Sequence, residues 1–204
     1  MYVPPALRMT TPQAQALIET QPFGVLIGDD LQATHLPLLL NRDEGEFGTL
    51  YGHLARANPH WQALEGRRVL AIFSGPHAYV SPSWYATRPA VPTWNYAAVH
   101  AEGRFERLDG AATAALIERS LAHFEPGLVD DKVMLDDAFR DRLLAGIVGF
   151  RVPIASLQGK AKLGQQRSAA DQAGVAAGLG DSAAPEAKAL LRYMHDQALG
   201  TGAQ

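Results

Sequence analysis

Short apolar runs of strand length, separated by polar turns, alternate along most of the chain before its Gly/Ala-rich tail. Runs such as FGVLIG and RVLAIFSG are rich in the residues that strands favour. Asp29-Asp30, between the first two runs, is typical of a hairpin turn. The pattern predicts strands over residues 23–28, 31–40, 48–55, 68–75, 77–81, 93–108 and 146–154. A kink at Gly75-Pro76 separates 68–75 from 77–81. Residues 93–108 form either one long strand or a bent pair hinged at Gly103.

Helices are predicted where a capping residue precedes proline or where apolar residues recur at helical spacing. Thr11-Pro12 and Asn58-Pro59 predict helices that continue to about residues 20 and 66. After Asp109-Gly110, an amphipathic helix places Leu116, Ile117, Leu121 and Phe124 on one face. Further helices are predicted over 136–145 and 186–199, and the Gly/Ala-rich residues 174–185 are predicted to be mobile.

The strands follow one another at hairpin spacing, with too few helices between them for repeated parallel crossovers. We therefore predict a mainly β fold with peripheral helices (α+β), in which an antiparallel sheet closes into a small barrel. Residues 1–168 are predicted to form this domain. Residues 169–204 are predicted to hold a flexible segment and a C-terminal helix.

Composition narrows the possible functions. A chain of 204 residues is long enough for one well-filled core. It has no cysteine, which excludes disulfides, thiolate nucleophiles and cysteine-ligated metals. Its net charge of −3 argues against broad electrostatic binding to nucleic acid. No apolar run approaches the roughly 20 residues of a membrane span, and the N-terminus lacks a leader pattern, so we expect a cytoplasmic protein without membrane contact.

The segment GHLARANPHW is a candidate phosphate site. Arg56 lies just before the helix that Asn58-Pro59 predicts, where unpaired backbone N–H groups favour an anion. His53, Arg56 and Asn58 together could hold a phosphate monoester. For an isolated pair of this kind, however, a packed histidine and a solvated arginine are the commoner outcome.

A second candidate is the aromatic, proline-punctuated stretch from Ser74 to Tyr96. It contains two tryptophans and three tyrosines, with Ser81, Ser83, Thr93 and Asn95 among them. Flat aromatic surfaces beside fixed polar groups suit a planar heterocycle. They suit the core of a subunit interface equally well, so both interpretations stay open.

The remaining polar clusters carry weaker signals. Lys160, Lys162 and Arg167 follow the last predicted strand and could reach a phosphate or a carboxylate, although a solvated basic loop is the usual outcome. The seven histidines show no metal-ligand spacing, so we predict no metal site. No nucleophile elbow or dinucleotide fingerprint is present.

Several long motifs, in order, resemble the PaiB-type family of FMN-binding negative transcriptional regulators. They are MYVPP, ATHLPLLL, GHLARANPHW, AIFSGPHAYVSPSWY, VPTWNYAAVHAEG and KLGQQR, and they extend through Arg167. The last motif departs from the family, which more often has serine and asparagine where this chain has Gly164 and Gln166. The resemblance implies a split β-barrel like that of flavin reductases and pyridoxamine-phosphate oxidases, and a homodimer with FMN in clefts between its subunits.

The resemblance also implies a set of cofactor-binding residues. Arg56 and Asn58 would lie near the phosphate, with Lys162 and Arg167 as helpers from the late loop. The ring and ribityl chain would be surrounded by Thr34, His35, His53, Ser81, Thr93, Trp94 and Asn95. Thr34 and His35 would thus be polar because both line the flavin cleft.

Three functions remain open at this level. The first is an FMN-binding negative regulator, for which direct DNA binding is uncertain because no helix-turn-helix is evident. The second is an FMN-dependent oxidoreductase or flavin reductase that uses NADH or NADPH. The third, ranked last, is haem binding in the same type of cleft, with His35, His53 or His77 as an axial ligand.

Overall fold

The computed structural model describes residues 1–129, 133–134 and 136–202. Within them lies an 8-stranded sheet in the order β2-β1-β5-β6-β8-β4-β3, with β7 paired to β8. The pairings β1–β2, β1–β5, β3–β4, β4–β8 and β7–β8 are antiparallel. The strands are β1 (Phe23–Ile27), β2 (Ala33–Pro37), β3 (Leu39–Asn41), β4 (Thr49–Ala55), β5 (Arg68–Val80), β6 (Thr93–Arg104), β7 (Glu106–Arg107) and β8 (Ile147–Lys162).

The chain divides into two compact units, and the larger one contains the barrel-like part of the sheet. This barrel unit comprises residues 15–73 and 100–157. The two ends of the strand order, β2 and β3, are joined by the single buried residue Leu38, and β2 also packs against β4. The sheet therefore curls back on itself, which confirms the predicted antiparallel, barrel-like fold with helices.

The core of the barrel unit follows from the alternation of each strand. On β4, Leu50 and Leu54 are buried, whereas Tyr51 and His53 are only partly covered on the opposite face. Phe105 and Phe150 stack at the centre with ring centroids 4.5 Å apart, and both are fully buried. Period-2 alternation of this kind separates a packed face from a face that is available for helices or ligands.

Helices cover part of that second face. They are α1 (Thr11–Thr20), α2 (His60–Leu64), α3 (Gly110–Phe124) and α4 (Asp137–Ala145). The carboxylate of Asp109 caps α3 by accepting the N–H of Ala112 at 2.8 Å, and Leu116 of α3 is fully buried. The helix predicted after Asp109-Gly110 is confirmed, and α3 packs against β4.

The second unit comprises residues 1–14, 74–99 and 158–204, of which 203–204 lie outside the described residues. It holds the far ends of β5, β6 and β8, together with α5 (Ala169–Asp181) and α6 (Pro185–Asp196). Asp171 is buried at the start of α5 and accepts the N–H of Thr87 at 2.8 Å, which ties the loop after β5 to this helix.

The predicted mobile segment overlaps α5, so that prediction is wrong for residues 174–181. Ser168 caps the helix, and alanine is the best helix former. Gly174 and Gly178, one turn apart, lie against Trp84: a Cβ at Gly174 would come within 2.1 Å of the Trp84 carbonyl oxygen. These glycines permit close packing rather than mobility. The division of the chain at residue 168 stays a prediction.

Several strand boundaries also differ from the prediction: residues 31–40 are divided into β2 and β3, and residues 93–108 into β6 and β7. β5 continues without interruption through Gly75-Pro76, because its pairing with β1 ends at Ile72 and the missing N–H of Pro76 breaks no bond of that ladder. β8 continues to Lys162, eight residues beyond its predicted end. Its buried positions there are Gly159 and Ala161, which are too small to register as an apolar run. Lys160 and Lys162 therefore lie on a strand and not in a loop.

Gly103 provides a test of the sheet packing in the barrel unit. A Cβ there would lie 2.2 Å from the Pro153 carbonyl oxygen and 2.6 Å from Val152 Cγ1. We expect Gly103→Ala to lower the free energy of unfolding by about 1–3 kcal/mol or more, as overpacking does. Denaturant unfolding measures this. Gly110→Ala is the matched control: no atom lies within 4 Å of its Cβ, and it should change stability by less than about 1 kcal/mol. Equal stability of the two variants would contradict the packing described.

Candidate functional site

Three polar residues of the GHLARANPHW and ATHLPLLL motifs form a hydrogen-bonded cluster in the barrel unit. The Thr34 hydroxyl lies 2.8 Å from His60 Nδ1, and Asn58 Nδ2 donates to the same hydroxyl at 3.5 Å. Asn58 Oδ1 accepts the backbone N–H of His60 at 3.0 Å. The start of α2 is thus fastened to β2, and the predicted residues Thr34 and Asn58 are brought together.

His60 is the member of this cluster that was not predicted as a site residue. It is 2 % exposed, and its Nε2 is buried with no hydrogen-bond partner among the residues that the structure describes. A buried ring nitrogen without a partner is uncommon and costly, so it marks a place where a polar group of a ligand is favoured. The signal in the sequence was its position directly after the Asn58-Pro59 helix start.

Thr34 and His35 lie on opposite faces of β2. Thr34 pairs with Leu26 and is half-buried, whereas His35 pairs with Val25 and is exposed, with its ring 6.3 Å from that of Phe23. Successive residues of a strand point to opposite sides. The structure therefore does not bring these two side chains together within one chain, and a shared role at the cofactor stays a prediction.

Arg56 lies just beyond the end of β4. Its Nε donates to the Ala145 carbonyl and its Nη2 to the Ile147 carbonyl, both at 2.7 Å. These bonds hold the guanidinium beside the end of α4. The remaining N–H groups of the guanidinium are left for a ligand, because an arginine carries five donors.

His53 lines a cavity of about 410 Å³ between β4, α3 and α4. Its walls are mainly apolar and include Ile117, Leu121 and Leu144. Arg140, which also lines it, has a buried Nε with no hydrogen-bond partner within residues 1–129, 133–134 and 136–202. Burial lowers the pKa of His53, since a protonated imidazole loses hydration there. The cavity has the volume and lining of small-molecule sites, which span roughly 300–1,000 Å³.

The second unit brings together another part of the predicted set. Lys162 Nζ donates to the Thr93 hydroxyl at 2.5 Å and to the Trp94 carbonyl at 2.9 Å. Trp94 is 53 % exposed. The centre of its ring lies 6.1 Å from that of His77 and 6.3 Å from that of Tyr79. The Lys162 ammonium group is thus bound to the backbone of the residue that carries the exposed indole.

The other predicted residues of this unit have separate local contacts. The Ser81 hydroxyl accepts the N–H of Ser83 at 3.2 Å and caps a short 3-10 turn. Asn95 is buried, and its Nδ2 would lie 3.6 Å from a Cβ at Gly164. The guanidinium of Arg167 lies 4.5 Å above the Tyr85 ring.

The donor sets suit FMN. In the barrel unit, a hydroxyl, an amide, a guanidinium and an unpartnered imidazole nitrogen are available. In the second unit, an ammonium group is bound to the Trp94 carbonyl, and the Trp94 indole is exposed. Such groups match a phosphate, a ribityl chain and a flat ring. Across the described residues, no three His, Asp or Glu side chains are placed to hold a metal ion, and no helix is long and apolar enough to cross a membrane.

The buried imidazole of His53 makes a pH test possible. Because its folded pKa lies below the unfolded value of about 6.5, the unfolded chain binds the proton more readily, and stability falls as the pH drops through that value. We expect His53→Gln to lose less stability than the wild type between about pH 7 and about pH 5. Urea unfolding at each pH measures this.

His195→Gln, at an exposed position of α6, is the matched control for replacing an imidazole by an amide. The difference between the two variants isolates the effect of burial. His100 is half-buried, partial burial lowers its pKa too, and it remains in both variants, so part of the acid sensitivity should persist. If His53→Gln follows the wild-type curve, the description of His53 as a neutral, desolvated imidazole is wrong.

Comparison with known proteins gives a consistent family. A model of the family described as "Putative FMN-binding domain" matches residues 1–156. "Protease synthase and sporulation protein PAI 2" of Bacillus subtilis (strain 168) is 34% identical over 97% of this chain and 98% of that protein. An uncharacterized protein of Emericella nidulans is 28% identical over 90% of this chain and 91% of its own length.

Solved structures support the fold. The flavocytochrome Anf3 from Azotobacter vinelandii matches with a TM-score of 0.61 and 17% identity, covering 76% of this chain and 69% of that one. The FAD and heme binding protein from Mycobacterium smegmatis matches with a TM-score of 0.56 and 18% identity over 75% and 71%. The predicted family and its FMN cofactor are both confirmed by the family match. The chain therefore belongs to the PaiB-type family of FMN-binding proteins.

Proposed function

We propose that this protein is a homodimer that binds FMN and lowers the expression of target genes. The observation that carries the FMN part is the Thr34, Asn58 and His60 cluster, with its buried and unpartnered ring nitrogen, in a chain of an FMN-binding family. A preorganised polar cluster of this kind favours binding, because the side chains of the cluster need not be ordered when the ligand binds.

The residues of the barrel unit are assigned to the phosphate and its neighbourhood. Arg56 offers the N–H groups that its two carbonyl bonds leave free, and Asn58 offers its amide. Thr34 and His53 are assigned to the ribityl chain and the ring. The pKa of His53 is lowered by burial, so this imidazole acts as a neutral hydrogen-bonding group near neutral pH.

Trp94 is assigned to the ring and ribityl chain, and Lys162 is assigned as a helper near the phosphate. Trp94 offers an exposed aromatic surface, and Lys162 holds the neighbouring backbone through the Trp94 carbonyl. FMN, when bound, supplies reversible acceptance of electrons and hydride. His35, Ser81, Thr93 and Asn95 are likewise assigned to the ring and ribityl chain, and Arg167 is assigned as a second helper near the phosphate.

The homodimer is supported by exposed aromatic surface. Tyr79 and Trp94 are 47 % and 53 % exposed and adjacent, and aromatic residues are enriched where subunits meet. An aromatic surface that bound both a second copy and a flavin ring would satisfy both interpretations of the Ser74 to Tyr96 stretch.

The regulatory part rests on the family and on the Bacillus subtilis relative, whose name links it to protease synthesis and sporulation. A net charge of −3 gives little support for electrostatic binding to DNA. We therefore propose that the effect on expression does not depend on nonspecific contact with the phosphate backbone.

A comparison of FMN with riboflavin tests the phosphate assignment. Riboflavin lacks the phosphate, so loss of a phosphate contact should weaken the binding of FMN but not that of riboflavin. We expect Arg56→Gln to weaken FMN binding about tenfold or more, the equivalent of one charged hydrogen bond, while riboflavin affinity changes little. Fluorescence titration measures both.

Arg68→Gln is the matched control, because Arg68 is an exposed arginine paired with Glu102 and is not assigned to the cofactor. It should leave both affinities unchanged. Arg56 also holds the carbonyls at the end of α4, and damage to that corner would lower riboflavin and FMN affinity together. An equal loss for both ligands, or no loss for either, would refute the phosphate assignment.

A mobility-shift assay tests how the proposed regulation operates. We expect the purified FMN-loaded protein to retard no random DNA fragment at about 50 mM salt, where nonspecific electrostatic binding is strong. Salt-sensitive retardation of random DNA would contradict the proposal. Oxidation of NADH or NADPH on addition of FMN, with turnover, would instead support the oxidoreductase alternative.

A further inference from the structure

A second cavity of the barrel unit lies apart from the residues assigned to FMN. It has a volume of about 470 Å³ and is enclosed by α3, the turn after α1 and the segment that links β2 to β3. Leu38, Leu39, Leu40 and Pro22 supply apolar walls. Tyr51, Arg119 and His123 supply the polar side chains on which the argument depends.

Arg119 holds a positive charge that no carboxylate neutralises within the part of the chain that the structure describes. The nearby arginines differ in this respect. Arg42 donates two hydrogen bonds to the carboxylate of Glu19, which itself lines the cavity, and Arg151 is paired with Glu106 and Glu44. The cavity therefore contains one uncompensated guanidinium.

The Tyr51 ring holds this guanidinium in place. The guanidinium carbon of Arg119 lies 4.4 Å from the centre of the ring. The Tyr51 hydroxyl donates to Glu44 Oε2 at 2.5 Å, and Arg151 donates to the other oxygen of Glu44 at 3.2 Å. Burial, and then Glu44, raise the pKa of Tyr51, so its phenol stays protonated. The ring under Arg119 is thus held through its hydroxyl by Glu44, which Arg151 holds in turn.

A guanidinium stacked on a ring keeps the N–H groups at its edge free. These N–H groups match the two oxygens of a carboxylate, and the attraction is stronger beside low-dielectric walls than in water. His123 lies one turn after Arg119 on α3 and adds a further imidazole to the cavity. One permanent positive charge beside leucine walls suits a monoanion with an apolar body.

We propose that this cavity binds a small organic monocarboxylate, with Arg119 as the carboxylate-binding residue and Tyr51 as the residue that positions it. The body of the ligand packs against Leu38, Leu39 and Leu40. None of these residues belongs to the set assigned to FMN. The site is therefore a second ligand site on the same barrel, distinct from the cavity that His53 lines.

Titration calorimetry of the FMN-loaded protein tests the proposal, with benzoate and hexanoate as probes and with benzamide and inorganic phosphate as comparisons. We expect both carboxylates to bind saturably and benzamide and phosphate to bind much more weakly. Arg119→Gln should weaken benzoate about tenfold or more, since it removes the charged partner. The benzoate affinity of Arg119→Lys should lie between those of the wild type and Arg119→Gln, because lysine keeps the charge but lacks the planar guanidinium.

Arg192→Gln is the matched control, since Arg192 is an exposed arginine of α6. It should bind benzoate like the wild type. Arg119 is itself exposed, so its variants are expected to fold, and a thermal melt of each verifies this. Benzoate binding that is unchanged in Arg119→Gln, or absent in the wild type, would overturn the proposal.

The flavin absorption of the same samples separates this site from the cofactor site. Release of FMN by benzoate would show that both ligands compete for one place, and the proposal would be wrong. Retention of FMN by Arg119→Gln with loss of benzoate binding supports two sites. If the protein takes up no FMN, the FMN assignment fails, and the benzoate titration of the protein without FMN still tests Arg119.

Discussion

The register of β4 between β3 and β8 is the constraint on which the rest of the structure depends. Tyr51 pairs with Leu39 on one side and with Arg151 on the other, and His53 pairs with Gly149. This register turns Leu50 and Leu54 into the core and places Tyr51 and His53 under the helices on the outer face. A slip of one residue would exchange these two sets and expose leucines where both cavities lie. The chemistry of this face is thus set by core packing.

The same strand connects the two ligand sites proposed for the barrel unit. His53 lines one cavity and Tyr51 the other, two residues apart on one face. The Thr34, Asn58 and His60 cluster lies where β2 meets the start of α2. Burial of the leucines on one face of β4 therefore supports a histidine whose pKa is lowered and a tyrosine whose pKa is raised on the other. Stability and binding depend on the same strand.

The pattern of the sequence predicted the barrel because alternating apolar residues report directly which face of a strand is buried. It did not predict the last eight residues of the strand β8, where glycine and alanine fill the buried positions. It also did not predict α5, where Gly174 and Gly178 permit close contact with Trp84. In both places small residues are used for close approach, which composition alone does not distinguish from mobility.

The sequence predicted only part of the candidate site, because motifs identify residues but not the contacts between distant parts of the chain. Motifs identified Thr34, Asn58, Thr93 and Lys162, whose side chains take part in hydrogen bonds. They did not identify His60, because its role depends on a contact with Thr34 across 26 positions of the chain. The stacking of Arg119 on Tyr51 was hidden in the same way, since it joins α3 to β4.

The central claim is that this barrel binds FMN as a dimer, and sedimentation velocity with detection at the flavin absorption band tests it most directly. Purified protein is mixed with increasing FMN, and protein and flavin are followed in the same cell. The account predicts that bound flavin saturates at one FMN per chain and sediments with the mass of two chains. A single-chain species that leaves all flavin in the slow, free fraction would contradict it.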